Sequence, residues 1–425
     1  MPVGNKLLRR NMIPILFQAV AWVCVVTTSC AYAQVPLTYF GMSMSAARLY
    51  TEWPQVSFGG IRLWNSKTSW SQLNGSPDVY DWTMLDLWLD AAASENVDVV
   101  YTFGRTPHWA SSKPSDGICL YGPGQCDPPN DLNPDGTGTN LHWKTFVKEL
   151  ATHAAGRIRY WELWNEPQNK AYWAGTFAQM VRLGKDARSV ILSIDPTAVF
   201  LSPGTGLQSK AVQWTAGYLA AGGGQAADII AAHGYVNGTC PDISPDTQVI
   251  PGRVSAFRKM LGTYAQGSKP IWITEASWGK GVSTCFTNQD AQAAFVAQAY
   301  FFYTYSRVQR LYWYAWDSGD RGTLWNGALL KPGIAYGTVA NWLTGATLSG
   351  CAVAGSVWQC TLTRSGGYEA LAVWDSSKTC TSGGCTTSEF VYSPQYVSYR
   401  DVYGQSKPLT GGNVRIGVRP ILLEN

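Results

Sequence analysis

Two glutamates stand at the ends of strand-like segments in this chain. Glu166 follows the apolar run RIRYWELW, and Glu275 ends the run KPIWITE. Hydrolysis of a glycosidic bond needs two carboxyl groups, one to protonate the leaving oxygen and one to attack or to activate water. In a retaining enzyme they stand roughly 5 to 5.5 Å apart, and the ionised partner raises the pKa of the other. The pattern therefore predicts Glu166 as a protonated acid/base and Glu275 as an ionised nucleophile.

The neighbours of Glu166 fit this role. Pro167 cannot donate a backbone hydrogen bond, so strand pairing ends there. Asn165 can hydrogen-bond a substrate hydroxyl while Glu166 addresses the glycosidic oxygen. Because carboxylates at the carboxyl ends of barrel strands lie at the mouth of the active site, the two glutamates are expected to face each other.

The elements that must position these residues alternate short apolar runs with segments of helical period, which is typical of a βα repeat. Eight strands are expected, which is the number that a closed barrel requires. They are LTYFGMSM (37–44), GGIRLWN (59–65), VDVVYTF (97–103), RIRYWELW (157–164), TAVFLS (197–202), ADIIAAHG (227–234), KPIWITE (269–275) and RLYWYAW (310–316). The predicted fold is a (β/α)8 TIM barrel of the α/β class.

Two further regions surround this core. The Pro/Gly-rich stretch 106–140 follows the third strand, where barrel loops build the active-site face, and is expected to wall a substrate cleft. After about residue 346 the pattern changes to short alternating runs such as SVWQCTLTR and YEALAVWDS. We therefore expect a catalytic barrel at 34–345 and a small, sandwich-like C-terminal β domain at 346–425, which packs on the barrel or helps to bind substrate.

The first 33 residues have the pattern of a signal peptide. Lys6, Arg9 and Arg10 precede an apolar run from Met12 to Val26, and the leader ends in Ala31-Tyr32-Ala33. The run is too short for a membrane span, so cleavage after Ala33 is expected. The mature protein is expected to be soluble and to be secreted or periplasmic, with no membrane partner.

Composition favours a neutral, hydroxylated ligand. The chain has 32 Lys and Arg against 28 Asp and Glu, with no basic cluster of the kind that phosphate neutralisation demands, so no nucleic-acid partner is expected. It also has 20 Trp and 22 Tyr with only 14% charged residues, which suits the flat apolar faces of sugars, although most of these aromatics will fill the core. The expected partner is a carbohydrate, and the oligomeric state is not predicted.

Eight cysteines follow the leader, an even number that supports disulfides in an exported protein. Neighbours in sequence suggest four pairs as a hypothesis: Cys119 with Cys126, Cys240 with Cys285, Cys351 with Cys360 and Cys380 with Cys385. A zinc site is disfavoured because no CxxC spacing occurs and the chain has only four His. Neither a metal nor another cofactor is expected.

The motifs together resemble glycoside hydrolase clan A, and within it family 39, over residues 37–345. The resemblance rests on five matches in order along successive strand ends: Arg62, TPHWAS, WNEPQ, the His233 and Tyr235 pair, and ITEASW. It implies Glu166 as acid/base, Glu275 as nucleophile and Asn165 as the partner of the sugar 2-hydroxyl. It further implies that Arg62, His233 and Tyr235 support the pair, with a guanidinium and a phenol orienting Glu275.

Three tryptophans resemble the aromatic platforms of the clan. Trp316 closes the eighth strand, while Trp109 and Trp278 follow the third and seventh strands. Their stacking on substrate sugars is therefore expected, against the alternative that they pack between loops.

The sequence leaves the reaction and the substrate partly open. A transglycosylase would use the same pair, and a carbohydrate-binding barrel without turnover would keep the fold. Family 39 includes β-xylosidases and enzymes that cut bacterial exopolysaccharides, and TPHWAS resembles the latter more. We therefore expect endo action on the β-glycosidic bonds of an extracellular polysaccharide, with the sugar and linkage unassigned.

Overall fold

The computed structural model describes Met1 and residues 33–45, 52–236, 240 and 246–425. The leader predicted at 1–33 lies almost wholly outside these residues, so its cleavage stays a prediction. Residues Ala33–Asn425 form one compact unit. Within the described ranges, none of the helices combines the length and apolar character that crossing a bilayer demands.

Nine strands of the described chain form the larger sheet, and each predicted strand segment overlaps one of them. They are β1 Phe40–Met42, β2 Gly60–Leu63, β3 Asp98–Thr102, β4 Tyr160–Glu162, β5 Val199–Leu201, β6 Thr205–Gly206, β7 Ile230–His233, β8 Ile271–Ala276 and β9 Arg310–Trp313. All pair in parallel, in the order β5-β4-β3-β2-β1-β9-β8-β7-β6. A parallel bridge between Leu201 and Ile229 joins β5 to the start of β7 and closes the barrel. The predicted (β/α)8 barrel is confirmed.

The ninth strand arises because the fifth barrel strand is interrupted. Pro203 has no N–H to donate, and the chain resumes pairing as β6 at Thr205. Gly204 lies at the interruption, where an added Cβ would stand 2.6 Å from both Glu162 Oε1 and His233 Nε2. The absence of a side chain at Gly204 therefore lets this backbone lie directly against the polar interior of the barrel mouth.

Eight α-helices of the described chain surround or follow the strands. They are α1 Trp70–Leu73, α2 Thr83–Ser94, α3 Leu141–Ala154, α4 Phe177–Leu192, α5 Ser209–Ala220, α6 Val249–Thr263, α7 Gln289–Tyr305 and α8 Lys331–Leu343. Short 3-10 helices lie at Leu37–Tyr39, His108–Ala110, Gly223–Ala226, Lys280–Val282 and Ser365–Gly367. Most α-helices bury one apolar stripe, but every residue of 293–303 in α7 is buried. A helix that is apolar all round must be covered on both sides.

The C-terminal strands provide that cover. They are β10 Thr347–Ala354, β11 Val357–Thr363, β12 Glu369–Asp375, β13 Cys380–Thr381, β14 Gly384–Cys385, β15 Ser388–Val391, β16 Ser398–Asp401, β17 Ser406–Pro408, β18 Asn413–Ile416 and β19 Ile421–Glu424. Six of them form an antiparallel sheet, β10-β11-β12-β19-β16-β17, and two form the pair β15-β18. Phe302 of α7 packs edge-on against Trp358 and Trp374 at 4.7 and 5.5 Å. The C-terminal region therefore packs on the barrel, which is one of the two roles expected from the sequence.

All four proposed cysteine pairs form disulfides in the structure. Cys119–Cys126 closes a tight turn within the loop 106–140, after β3. Leu120 N–H donates to Ala171 O at 3.0 Å, and Ala174 N–H donates to Cys126 O at 2.8 Å. The loop after β3 is thereby held against the loop after β4, which carries Glu166.

Candidate active site

The barrel brings Glu166 and Glu275 together at its carboxyl end, as the sequence predicted. Glu166 follows β4, and Glu275 lies within β8. One carboxylate oxygen of each and one ring nitrogen of His233 all lie within 4.8 Å of one another. The two acids and the imidazole therefore form one contiguous group.

Donors hold both oxygens of Glu275. Arg62 Nη1 donates to Oε1 at 2.5 Å, and the Tyr235 hydroxyl donates to Oε2 at 2.7 Å. The residue is only 5% exposed, so these contacts fix its orientation as well as complementing its charge. Arg62 and Tyr235 thus lie where the resemblance implied.

Arg62 also links Glu275 to two other residues of β4 and its end. Its Nε donates to Glu162 Oε2 at 2.6 Å, and Nη2 donates to Asn165 Oδ1 at 2.8 Å. The guanidinium is buried and uses its planar fork on three acceptors at once. Because Asn165 accepts through its oxygen, its amide nitrogen is left as the donor for a ligand hydroxyl.

Glu162 is a residue of the site that the sequence reasoning missed. It is fully buried and also accepts from the hydroxyls of Thr102 and Thr274, each at 2.7 Å. Its three hydrogen bonds, from Arg62, Thr102 and Thr274, leave it no path to a substrate, so it positions Arg62. A signal did exist, because an arginine inside the apolar run GGIRLWN requires a buried acid.

Removing the Arg62 charge is expected to destabilise the protein strongly. Arg62→Met leaves the buried carboxylates of Glu162 and Glu275 without their counter-charge, which costs about 3–5 kcal/mol of unfolding free energy. The matched control is Arg415→Met, whose ion pair with Glu389 is 78% and 57% exposed and worth about 1 kcal/mol or less. Urea unfolding of both variants checks this. A loss for Arg62→Met no larger than for Arg415→Met would show that the network carries little energy.

The backbone at Glu166 adopts an unusual conformation. Its φ is +44°, in the left-handed region that non-glycine residues seldom occupy, and such a residue costs on the order of 1–3 kcal/mol. The amide of Glu166 donates to Gly204 O at 2.8 Å, and its carbonyl accepts from Asn169 N–H at 3.0 Å. These bonds hold the strained turn that presents the carboxylate to the site.

The protonation expected for Glu166 is not what the ligand-free site favours. Burial raises the pKa of Glu166, but the hydrogen bond and charge of His233, with Arg62 and Arg321, outweigh burial and hold that pKa below its usual value. Burial lowers the pKa of His233, yet the charges of Glu275 and Glu166 outweigh it and raise that pKa above 6.5. These opposite shifts favour His233 Nδ1, which lies 3.0 Å from Glu166 Oε1, as the holder of the shared proton. The prediction was wrong because it considered the glutamates without the imidazole between them.

His233 is therefore expected to set the alkaline limb of the pH profile. In the native protein the shared proton is lost as the pH rises through the raised pKa of His233. In His233→Gln the proton must reside on Glu166, a carboxyl whose usual pKa is lower, so the alkaline limb of kcat/KM should move to lower pH. The measurement is kcat/KM against pH for both proteins. An unmoved limb would mean that His233 does not hold the catalytic proton.

Two of the three tryptophans expected as aromatic platforms are buried. Trp278 and Trp316 are only 3% and 2% exposed, so neither can offer a ring face to a sugar in this conformation. Trp316 O accepts from the amides of Leu324 and Trp325, so the loop beyond β9 folds back against Trp316. Trp109 is half-buried and donates through Nε1 to Asn74 O at 3.0 Å. Its platform role stays a prediction.

Tyr314 is the better candidate for that platform. Its ring lies 6.3 Å from that of Tyr235, and the charge of Glu275 contributes, after burial, to raising its pKa. It lines a cavity of about 290 Å³ with Asn65, Asp317 and Arg321 among other residues. The Asn65 amide donates to the Tyr314 hydroxyl. The cavity therefore lies along the loop that follows β9, and its Tyr314 ring is next to Tyr235, the hydrogen-bond partner of Glu275.

One family model matches part of this chain. Residues 136–342 match the family model described as the glycosyl hydrolase catalytic core. A search of curated proteins gave no significant match.

Solved structures share the fold. A family 39 glycoside hydrolase from the gut symbiont Bacteroides cellulosilyticus WH2 has a TM-score of 0.67 at 17% identity, over 92% of this chain and 81% of that one. A family 39 β-xylosidase from Caulobacter crescentus has a TM-score of 0.64 at 17% identity, over 92% and 97% of the two chains. A family 30 endoxylanase from Clostridium papyrosolvens C71 has a TM-score of 0.57 at 11% identity, over 93% and 97%. At these identities the likeness establishes the fold.

The family-model match and the geometry concern the same residues. The matched range contains Glu166, His233, Tyr235 and Glu275, while Arg62 reaches them from β2. Residues 136–342 therefore match the glycosyl hydrolase catalytic core, and the chain shares its fold with family 39 glycoside hydrolases.

Proposed function

We propose that this protein is a retaining glycosidase in which Glu275 is the nucleophile and Glu166 the acid/base. The observation that carries the proposal is the approach of the two carboxylates, whose oxygens come within 4.8 Å. Retaining enzymes hold their carboxyl groups roughly 5 to 5.5 Å apart, whereas inverting enzymes leave roughly 6.5 to 9.5 Å for a water molecule. The separation supports direct attack by a carboxylate.

The surroundings of the two acids support the division of roles. Glu275 has both oxygens fixed by donors and little exposure, which suits attack along one trajectory. The Glu166 side chain is 24% exposed and contacts an ionisable group, His233, which suits a residue that must give and take a proton. If the roles were exchanged, the tightly held Glu275 would have to protonate the leaving oxygen.

The reaction proceeds in two displacements. In the first, a Glu275 oxygen bonds to the anomeric carbon while the glycosidic bond breaks, and Glu166 gives its proton to the departing oxygen. In the second, Glu166 takes a proton from water, which attacks the anomeric carbon and releases Glu275. Asn165 donates through its amide to the hydroxyl beside the anomeric carbon.

His233 can supply the proton that Glu166 needs. Its Nδ1 lies 3.0 Å from Glu166 Oε1 and 3.4 Å from Glu275 Oε2. Bond formation to the sugar neutralises the charge of Glu275, which is one of the charges that raise the pKa of His233. The proton on His233 therefore becomes easier to pass to Glu166 as Glu275 reacts.

The substrate we propose is an extracellular polysaccharide, cut internally at β-glycosidic bonds. The four disulfides of the described chain support export to an oxidising compartment. Aromatic side chains extend beyond the catalytic pair, with Tyr121, Tyr172 and Tyr314 in neighbouring positions. More than one sugar unit can therefore find a flat apolar partner.

A panel of purified polysaccharides with product sizing tests this function. Endo action predicts a rapid fall in polymer length with oligosaccharide products, and Glu275→Gln serves as the inactive control. Release of monosaccharide alone would contradict endo action. Cleavage of no glycan would contradict the glycosidase proposal. An added acceptor sugar that becomes elongated would indicate transfer to sugar in place of hydrolysis.

A further inference from the structure

We infer that Arg105 binds the carboxylate of an acidic sugar unit, such as a uronic acid, next to the unit that is cleaved. The inference deepens the proposed function and rests on it for the position of the cleaved bond. The Arg105 guanidinium lies at the barrel mouth and has no carboxylate partner among the described residues.

The chain places Arg105 in a strained conformation just beyond β3. Its φ is +61°, which an arginine adopts only when its surroundings impose it. The Gly104 and Arg105 carbonyls accept from the amides of Trp70 and Ser71 at 3.2 and 3.0 Å. The start of α1 therefore fixes the turn, and with it the direction in which the side chain leaves the backbone.

Aromatic rings rather than acids surround the guanidinium. Its carbon lies 3.7 Å from the ring centre of Tyr121 and 4.8 Å from that of Trp64. The side chain is half-buried, and its Nε is buried without a hydrogen-bond partner. Burial lowers the pKa of Arg105, although an arginine stays charged at neutral pH. A partly desolvated cation without an anionic partner costs free energy that a ligand anion beside the guanidinium would recover.

Other arginines near the site differ in this respect. Arg62 pairs with Glu162 and Glu275, and Arg321 makes two contacts with Asp320 at 2.9 and 2.8 Å. Their charges are already compensated within the chain. Unlike these two arginines, Arg105 has no acidic partner among the described residues, so an anionic ligand could compensate its charge.

Arg105 stands close enough to the catalytic pair to meet the same substrate. The ring of Tyr121, which it covers, lies 5.5 Å from the ring of Tyr172. Burial, Tyr121 and the charges of Glu166 and Glu275 all raise the pKa of Tyr172, so Tyr172 lies within the field of both acids. The rings of Tyr121 and Tyr172 therefore connect the unpaired cation to the surroundings of the catalytic acids, where an adjoining sugar unit would lie.

The chemistry of guanidinium favours a carboxylate as the ligand. Its planar fork matches the two oxygens of a carboxylate, which can accept two parallel hydrogen bonds from it. A neutral sugar would leave the charge uncompensated. The structure thus points to selectivity for acidic polysaccharides.

The test uses glucuronate-containing bacterial polysaccharides, each paired with the same polymer after reduction of its carboxyl groups to alcohols. We expect the native protein to cleave an acidic polymer about 10- to 100-fold faster, in kcat/KM, than its reduced form, the range that a charge-assisted hydrogen bond supplies. Arg105→Gln should lose this preference by losing rate on the acidic polymer alone, and Arg105→Lys should keep part of it. A merely structural role would lower both rates alike. Equal rates on both polymers for the native protein would overturn the inference.

A binding measurement separates this inference from the proposed function. Affinity electrophoresis of Glu275→Gln in gels containing each polymer reports binding without turnover. Retardation by the acidic polymer that disappears in Glu275→Gln with Arg105→Gln supports the site even if the native protein cleaves nothing, in which case only the proposed reaction fails. Equal retardation by both polymers would contradict the inference.

Discussion

Glu275→Gln is expected to lower kcat by about 10⁴-fold or more, equivalent to about 5.4 kcal/mol of lost transition-state stabilisation. The amide is nearly isosteric with the carboxylate but cannot attack the anomeric carbon, so the first displacement is lost. Steady-state kinetics on any polysaccharide that the native protein cleaves provides the measurement.

The matched control for this variant is Glu162→Gln. Glu162 bonds to the same Arg62 but is fully buried and cannot reach substrate, so we expect it to cost stability and only part of the activity. If Glu275→Gln kept near-native rates, or if the two variants lost activity equally, Glu275 would not be the nucleophile.

Glu166→Ala is expected to divide substrates by their leaving groups. Natural substrates should lose about 10²- to 10⁴-fold in kcat, because their leaving oxygen needs the proton that Glu166 supplies. Aryl glycosides whose phenolate leaves without protonation should keep the first step, and added azide should speed the second by replacing the water that Glu166 can no longer activate. Kinetics on both substrate classes, with and without azide, measures this. Equal losses on the two classes would remove the acid role.

The sequence predicted those features that local patterns determine. Alternation of apolar runs and helical segments located eight of the nine strands of the barrel sheet, and a glutamate at each of two strand ends was enough to place Glu166 and Glu275 opposite each other. Pro203 can be read from the sequence, but the strand that resumes after it was not predicted. Whether the chain pairs again after a proline depends on its neighbours in space.

Features that depend on contacts between distant segments were missed. Glu162 became meaningful only when β2 brought Arg62 beside it, and the proton assignment changed because β7 inserts His233 between the acids. Trp316 and Tyr314 are two residues apart, and only the folded loop after β9 shows that Trp316 is buried and Tyr314 lines the cavity. An aromatic residue type alone does not reveal which ring face is accessible.

In the proposed mechanism Glu275 forms a covalent bond to the sugar, while Glu166 donates and accepts the proton. The most direct measurement is peptide mass spectrometry of Glu166→Ala after reaction with a cleavable aryl glycoside, because slow release of the intermediate should let it accumulate. The expected result is an added mass of one glycosyl unit on the peptide that contains Glu275. A glycosyl unit on another carboxylate, or turnover that inverts the anomeric centre without any adduct, would contradict it.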